Sequence, residues 1–199
     1  MSQKTFPLVF SGICIALNLI LGTTVQMLKI PLIFLDTLGT IFGAVLFGPV
    51  YGGAIGLLTN VIQGMLTNPR DIPFAVVNLM IGVIVGLIAR RFVFNWGTAL
   101  ATGLLLAVVA PLVGTPIAIW VYGGLTGGGT DFIFLWLLQS GQKIFTAAFL
   151  PRIAGNLIDK IACALLVATI VRYLPADILA KAGNTLLKGA RKPGNVTPQ

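Results

Sequence analysis

Three polar residues stand together in an otherwise apolar stretch near the C-terminus: Asn156, Asp159 and Lys160. Their i, i+3, i+4 spacing puts all three on one face of a helix. The run Ile153–Leu174 is long enough to cross a bilayer, with the two charges roughly a third of the way in. An ionisable group at that depth costs several kcal/mol unless it pairs or faces a cavity. Two roles fit these residues: an Asp–Lys staple between helices, or the polar wall of a binding cavity.

The chain around them is built for lipid. Of its 199 residues 57% are hydrophobic and only 9% are charged, with a mean hydropathy of +0.99. Soluble domains carry about 25% charged residues, so this is an integral membrane protein. All five acidic residues are Asp, and there is no Glu and no His. That removes a Ser-His-Asp triad, His-based acid–base chemistry and the H-E-x-x-H zinc pattern. No G-x-x-x-x-G-K-[ST] occurs, so ATP hydrolysis through a P-loop is excluded. No catalytic residue, cofactor or metal is expected, and the chain is not expected to be an enzyme. Cys14 and Cys163 fall in apolar spans and read as small buried hydrophobes.

Six spans are expected in one domain, residues 1–175, followed by a basic cytoplasmic tail, 176–199. The spans are Phe6–Met27, Leu32–Phe47, Val50–Leu66, Phe74–Phe92, Thr98–Tyr122 and Ile153–Leu174. Asp36, near the start of the second, reads as a cap or a first-turn charge. Gly48, Gly52, Gly56, Asn60 and Gly64 form a small-residue stripe on the third, and Gly12 and Ala16 a shorter one on the first. Both stripes are expected to meet a partner, so that Gly52→Leu or Gly56→Leu would harm transport and spare ligand binding. Pro111 and Pro116 are expected to kink or break the fifth span. Trp120 and Tyr122 mark its far end as an aromatic belt.

Residues 123–131 contain five glycines and end in Asp131, forming a loop whose N–H groups could approach a ligand or simply turn the chain. Phe132–Leu150 is apolar at first and then polar, and is expected not to cross. On that count Lys4, Arg90, Arg91, Arg172, Lys181, Lys188, Arg191 and Lys192 share one side. Lys29, Arg70, Lys143 and Arg152 lie at or near the other. The richer side is cytoplasmic by the positive-inside rule. Polar groups then gather toward the outer half: Asp36, Asn60, Gln63, Asn78, Asp131, Asn156, Asp159 and Lys160.

With Leu35-Asp36-Thr37-Leu38-Gly39-Thr40, Leu46-Phe47-Gly48-Pro49, the glycine loop through Asp131, and Asn156-Leu157-Ile158-Asp159-Lys160-Ile161, the chain resembles the substrate-binding S components of energy-coupling factor (ECF) vitamin transporters. The resemblance covers most of residues 6–175. Where that family has A-x-x-x-A on its first helix, Gly12 and Ala16 stand here. The resemblance implies a six-helix subunit in a prokaryotic plasma membrane that captures a vitamin or precursor from outside. It also implies a transmembrane T component and two cytoplasmic ATPases as partners, and no nucleic acid. It places the partner face on helices 1 to 3 (Gly12, Ala16, Gly48, Gly52, Gly56). The pocket would lie on the outer loops and later helices (Asn78, Trp120, Tyr122, Asp131, Asn156, Asp159, Lys160). With Trp136 near, these residues suit a small polar aromatic ring such as pyridoxine or the hydroxymethylpyrimidine precursor of thiamine. A ligand sensor, a structural partner in a membrane complex and a carrier working without ATPases are the alternatives.

The charge distribution generates a test. Both termini are expected in the cytoplasm, so a cysteine placed in the tail resists membrane-impermeant labelling of intact cells and is modified after lysis. Labelling from outside would reverse the orientation.

Overall fold

The apolar runs fold into helices, and the breaks between them fall at proline, glycine and asparagine. The computed structural model describes residues 5–28, 30, 32–127 and 131–190. These form α1 (Thr5–Leu28), α2 (Leu38–Phe47), α3 (Pro49–Leu66), α4 (Ala75–Arg91), α5 (Trp96–Tyr122), α6 (Asp131–Gln139), α7 (Ile144–Tyr173) and α8 (Ala176–Ala182). Two 3-10 turns, Pro69–Phe74 and Thr185–Ala190, complete the described elements. Lys4, Lys29, Gly128, Gly129, Thr130, Arg191 and Lys192 of the sequence reading lie outside the described residues.

Among the described residues, four stretches are long and apolar enough to cross a membrane: Thr5–Leu28, Pro69–Arg91, Trp96–Tyr122 and Ile144–Tyr173. The expected second span is the first departure. Only Leu38–Phe47 is helical there, about 15 Å at 1.5 Å per residue, half of a hydrocarbon core of about 30 Å. Nearly all of α2 is buried, so it is wrapped by the other helices rather than by lipid. Residues 32–37 approach it as irregular chain, with Leu32 (φ 66°) and Leu35 (φ 52°) in the left-handed region.

Asn18 joins the first three helices. Its fully buried amide donates to Thr40 Oγ1 at 2.9 Å and Thr59 Oγ1 at 3.1 Å, while its Oδ1 accepts from the Gly39 N–H at 2.6 Å. One side chain thus satisfies polar groups on both neighbours of α1, as burial requires.

The glycine stripe of α3 closes onto α4. A Cβ on Gly52 would strike Ala44 and the Gly82 carbonyl, and one on Gly56 would strike the Asn78 carbonyl. Gly82 in turn lies against the Gly52 backbone, and Gly86 against Pro49. Gly48, at φ 88°, makes the turn between α2 and α3 beneath the Arg90 guanidinium. Gly48, Gly52 and Gly56 therefore serve contacts within the chain, where a partner face was expected. Gly12 and Ala16 differ: both are exposed, and nothing lies within 4 Å of a Cβ built on Gly12.

The longest elements, α5 and α7, pack along each other, with Gly103 letting α5 approach the Ile161 backbone. Pro111 and Pro116 sit inside α5, which runs unbroken from Trp96 to Tyr122. Likewise α7 begins at Ile144, nine positions before the expected span, and carries Pro151 without a break. The stretch Phe132–Leu150 is thus two things: most of α6, and the opening turns of α7 beyond a bend at Gly141 (φ 84°).

Residues 179–187 pack onto the bundle. Leu179, Ala182 and Leu187 are buried in the core cluster. The Asn184 amide donates to Val45 O at 2.9 Å and Ala89 O at 3.1 Å, closing the C-terminal ends of α2 and α4. The first part of the segment read as a tail is thereby joined to the bundle.

This packing predicts a contrast between two glycines. Gly56→Leu overpacks the α3–α4 contact, costs about 1–3 kcal/mol or more, and lowers the thermal midpoint of the detergent-solubilised protein together with ligand binding. Gly12→Leu leaves both unchanged. Equal effects of the two substitutions would contradict the contact assignment.

Candidate functional site

One cavity of about 270 Å³ opens between the helices. It is lined by the C-terminal halves of α1 (Gly22, Gln26), α3 (Asn60, Gln63) and α5 (Pro111, Gly114). The N-terminal half of α4 (Val77, Asn78) and the N-terminal and middle turns of α7 (Arg152, Asn156, Lys160) complete its walls. All these ends lie on one side of the bundle, the side reached by the C-terminus of α1. Since α5 ends there and α7 starts there, the segment between them returns to the side it left.

The floor is ionic. Lys160, 3% exposed, donates to Asp159 Oδ2 at 2.6 Å, Thr37 Oγ1 at 2.9 Å and Asp36 Oδ1 at 3.3 Å. Its ammonium also lies 5.8 Å from the centroid of the Phe34 ring, a cation–π distance. All three proton positions of the ammonium thus have partners in the chain. Asp159 is wholly buried, and its Oδ1 accepts from the backbone N–H groups of Phe34 at 2.9 Å and Leu35 at 2.8 Å. Its carboxylate faces the irregular segment before α2 and does not line the cavity. Asp36 is not a cap: α2 starts after Thr37 with no side-chain cap, and Asp36 reaches Lys160 instead.

The amides form the next layer. Asn78 donates to Asn60 Oδ1 at 2.8 Å and, more weakly, to the Asp36 carbonyl at 3.4 Å. Asn156 donates to the Arg152 carbonyl at 2.9 Å, leaving its Oδ1 as an acceptor on the cavity wall. Apolar side chains of Ile33, Phe34, Phe74 and Ile81 interleave with these groups, giving the mixture typical of small-molecule pockets.

Two loops frame the opening. Tyr122 donates to Asp71 Oδ1 at 2.8 Å and accepts from Asn68 at 2.8 Å, tying the end of α5 to the turn before α4. In the glycine loop, Asp131 accepts from Gly127 N at 2.7 Å and Thr126 N at 3.3 Å. Arg152 donates to Ala148 O at 2.7 Å and to Gly124 O at 3.1 Å, joining that loop to α7. Gly124 holds φ 102° against the Phe134 ring, a conformation and a space that only glycine fits.

Of the seven expected site residues, Asn78, Asn156 and Lys160 line the cavity. Asp159 stands behind Lys160; Tyr122 holds Asp71, which lines the cavity; and Asp131 holds Thr126 and Gly127, which also line it. Trp120 is 80% exposed and is not among the lining residues. With Trp96 (57% exposed) it brackets α5 at about 36 Å separation, which suits the two interfacial belts.

Asp36, Asn60 and Gln63 were legible as outer-half polar groups but were not assigned to the site. Arg152 was missed because the last span was begun at Ile153. Arg152, Asn156 and Lys160 recur at i, i+4, i+8, a spacing that would have found it. Gln26 and Phe34 carried no signal in the sequence.

A family profile described as ECF transporter, substrate-specific component, matches residues 7–171. The chain belongs to this family. It is a substrate-specific membrane subunit of a transporter, as the motifs around Asp36, the glycine loop and Asp159 implied. The family match contains every residue that lines the cavity. Comparison with curated proteins and with solved structures gave no match.

The geometry separates roles within the Asn156–Lys160 cluster. Asp159→Ala strands two backbone N–H groups and half of a buried ion pair, a loss of about 3–5 kcal/mol, seen as a collapse of the thermal midpoint. Asn156→Ala leaves the midpoint in place. An Asp159→Ala variant as stable as the parent would show that residues 32–37 do not depend on this carboxylate.

Proposed function

We propose that this S component captures a small vitamin or vitamin precursor from outside the cell and holds it in the cavity between α1, α3, α4, α5 and α7. The observation that carries the proposal is the cavity itself. It is enclosed by five helices, mixed in polarity, and confined to the end of the bundle opposite Arg90, Arg91, Arg172 and Lys181. By the positive-inside rule that end faces outward. The six-span topology follows if α3 and the α2 unit, with residues 32–37 completing its path, are counted as crossings.

At about 270 Å³ the cavity lies just below the range of about 300–1,000 Å³ that drug-sized ligands occupy. That volume favours a single-ring molecule over one as large as riboflavin. Pyridoxine and the hydroxymethylpyrimidine precursor of thiamine fit both the size and the carboxamide-rich wall. Asn78 and Asn156 are the expected contacts, with Lys160 on the floor between its own partners and Asp159, Tyr122 and Asp131 holding the walls around them.

Release inside would require the T component and two ATPases that family membership implies, since no phosphate-binding motif occurs in this chain. The exposed Gly12–Ala16 face favours such a partner over a carrier working alone.

Native mass spectrometry of the purified protein is expected to show a retained ring compound of vitamin size. Added at 100 times its Kd, such a ligand stabilises the folded state by about 2.7 kcal/mol, and Asn156→Ala reduces the resulting shift in thermal midpoint. No retained compound, and no shift with any vitamin tested, would defeat the proposal.

A further inference from the structure

The charges that line the cavity balance in number but not in pairing. Two carboxylates, Asp36 and Asp71, stand with two cations, Arg152 and Lys160. Asp36 and Asp159 are both engaged by Lys160, and these are the ion pairs found among the described residues. Arg152 is turned to the Ala148 and Gly124 carbonyls. Asp71 remains. Its carboxylate lines the cavity, and among the described residues it accepts a side-chain hydrogen bond from Tyr122 alone. Its neighbour Arg70 is exposed and makes no ion pair with it.

A carboxylate at the mouth of a half-buried pocket, held in place by a tyrosine and lacking a cation, is an acceptor awaiting a donor. Tyr122 fixes Oδ1, so Oδ2 is presented in one direction. Lys160 does not offer the same service to an anion, because it is already coordinated by Asp159, Asp36 and Thr37; Arg152 gives two of its donors to backbone carbonyls.

We infer that Asp71 is the specificity-determining carboxylate of this cavity, and that the ligand brings it an amino group or a protonated nitrogen. This rests on the cavity being the ligand site proposed above. The substrate class narrows accordingly to ring compounds carrying an exocyclic amine or a positive charge. Tyr122 is a positioning residue for Asp71, with no ligand contact of its own required.

The test measures Kd for the full-length protein in lipid nanodiscs against two sets of probes. The donors are pyridoxamine, thiamine and the aminomethyl- and hydroxymethyl-substituted aminopyrimidines. The anions are nicotinate, pantothenate, biotin and pyridoxal phosphate. A donor is expected to bind tightest, and Asp71→Asn is expected to weaken it by about tenfold or more. Asp71→Glu, which keeps the charge, retains more affinity than Asp71→Asn, and Tyr122→Phe gives a smaller loss than Asp71→Asn. If Asp71→Asn fails to fold, the Asp71→Glu and Tyr122→Phe affinities carry the test. Tightest binding by an anion, or donor affinity indifferent to both Asp71→Asn and Tyr122→Phe, overturns the role of Asp71 and leaves the binding function intact. Failure of every probe in both sets overturns the ligand class of the proposed function and this inference with it.

Discussion

The structure depends on one buried carboxylate. Asp159, wholly buried in α7, accepts from the backbone N–H groups of Phe34 and Leu35 and pairs with Lys160. At that depth a non-helical backbone is tolerable only where protein supplies its hydrogen bonds. Asp159 supplies them for the irregular segment leading into α2. With its ends so anchored, α2 can be short and almost wholly buried, and Leu32 and Leu35 can hold left-handed backbone that bulky side chains ordinarily avoid. The same anchoring brings Asp36, Thr37 and Phe34 to the floor of the cavity. Charge here organises a fold first and a pocket second.

The bundle is tight at one end and open at the other for reasons visible in its small residues. Glycines on α3 and α4 bring those helices to backbone contact through Gly52, Gly56 and Gly82. The Asn18 amide closes α1 onto α2 and α3, and Asn184 seals the ends of α2 and α4. Toward the cavity the contacts change to amides, aromatics and two framing loops, which leave space between helices. Dispersion packs the closed end, where backbone can meet backbone. At the open end polar side chains line the space between neighbouring helices.

Gly12 and Ala16 complete this division, since they are small without being covered. A transporter subunit that works with other chains needs a face where a partner helix can come close, and a small-residue face gives it without rearranging the core. The stripe on α3 has a similar composition but lies against the chain's own helices. Composition alone cannot separate the two, because a gap left by glycine is equally suited to the chain's own helix or to another's.

Membership of the membrane class, the helical fold and the family were legible in the sequence, because hydropathy and polar motifs are local properties. The prominence of Asn156, Asp159 and Lys160 was legible too, since an ionisable residue in an apolar run must be satisfied somewhere. Where it is satisfied is not local. Asp159 turned to backbone more than a hundred positions away, and Lys160 to Asp36, a residue that by local rules resembled a cap. Proline inside α5 suggested interruption, yet the helix runs on from Trp96 to Tyr122. Arg152 was hidden by a helix boundary drawn one residue too late, and Gln26 and Phe34 gave no periodic signal. The sequence by itself determined which groups could not be left unpaired in a membrane. The tertiary structure decided their partners, because hydrogen bonds and ion pairs form between whichever surfaces packing brings together, and that is a property of the whole bundle.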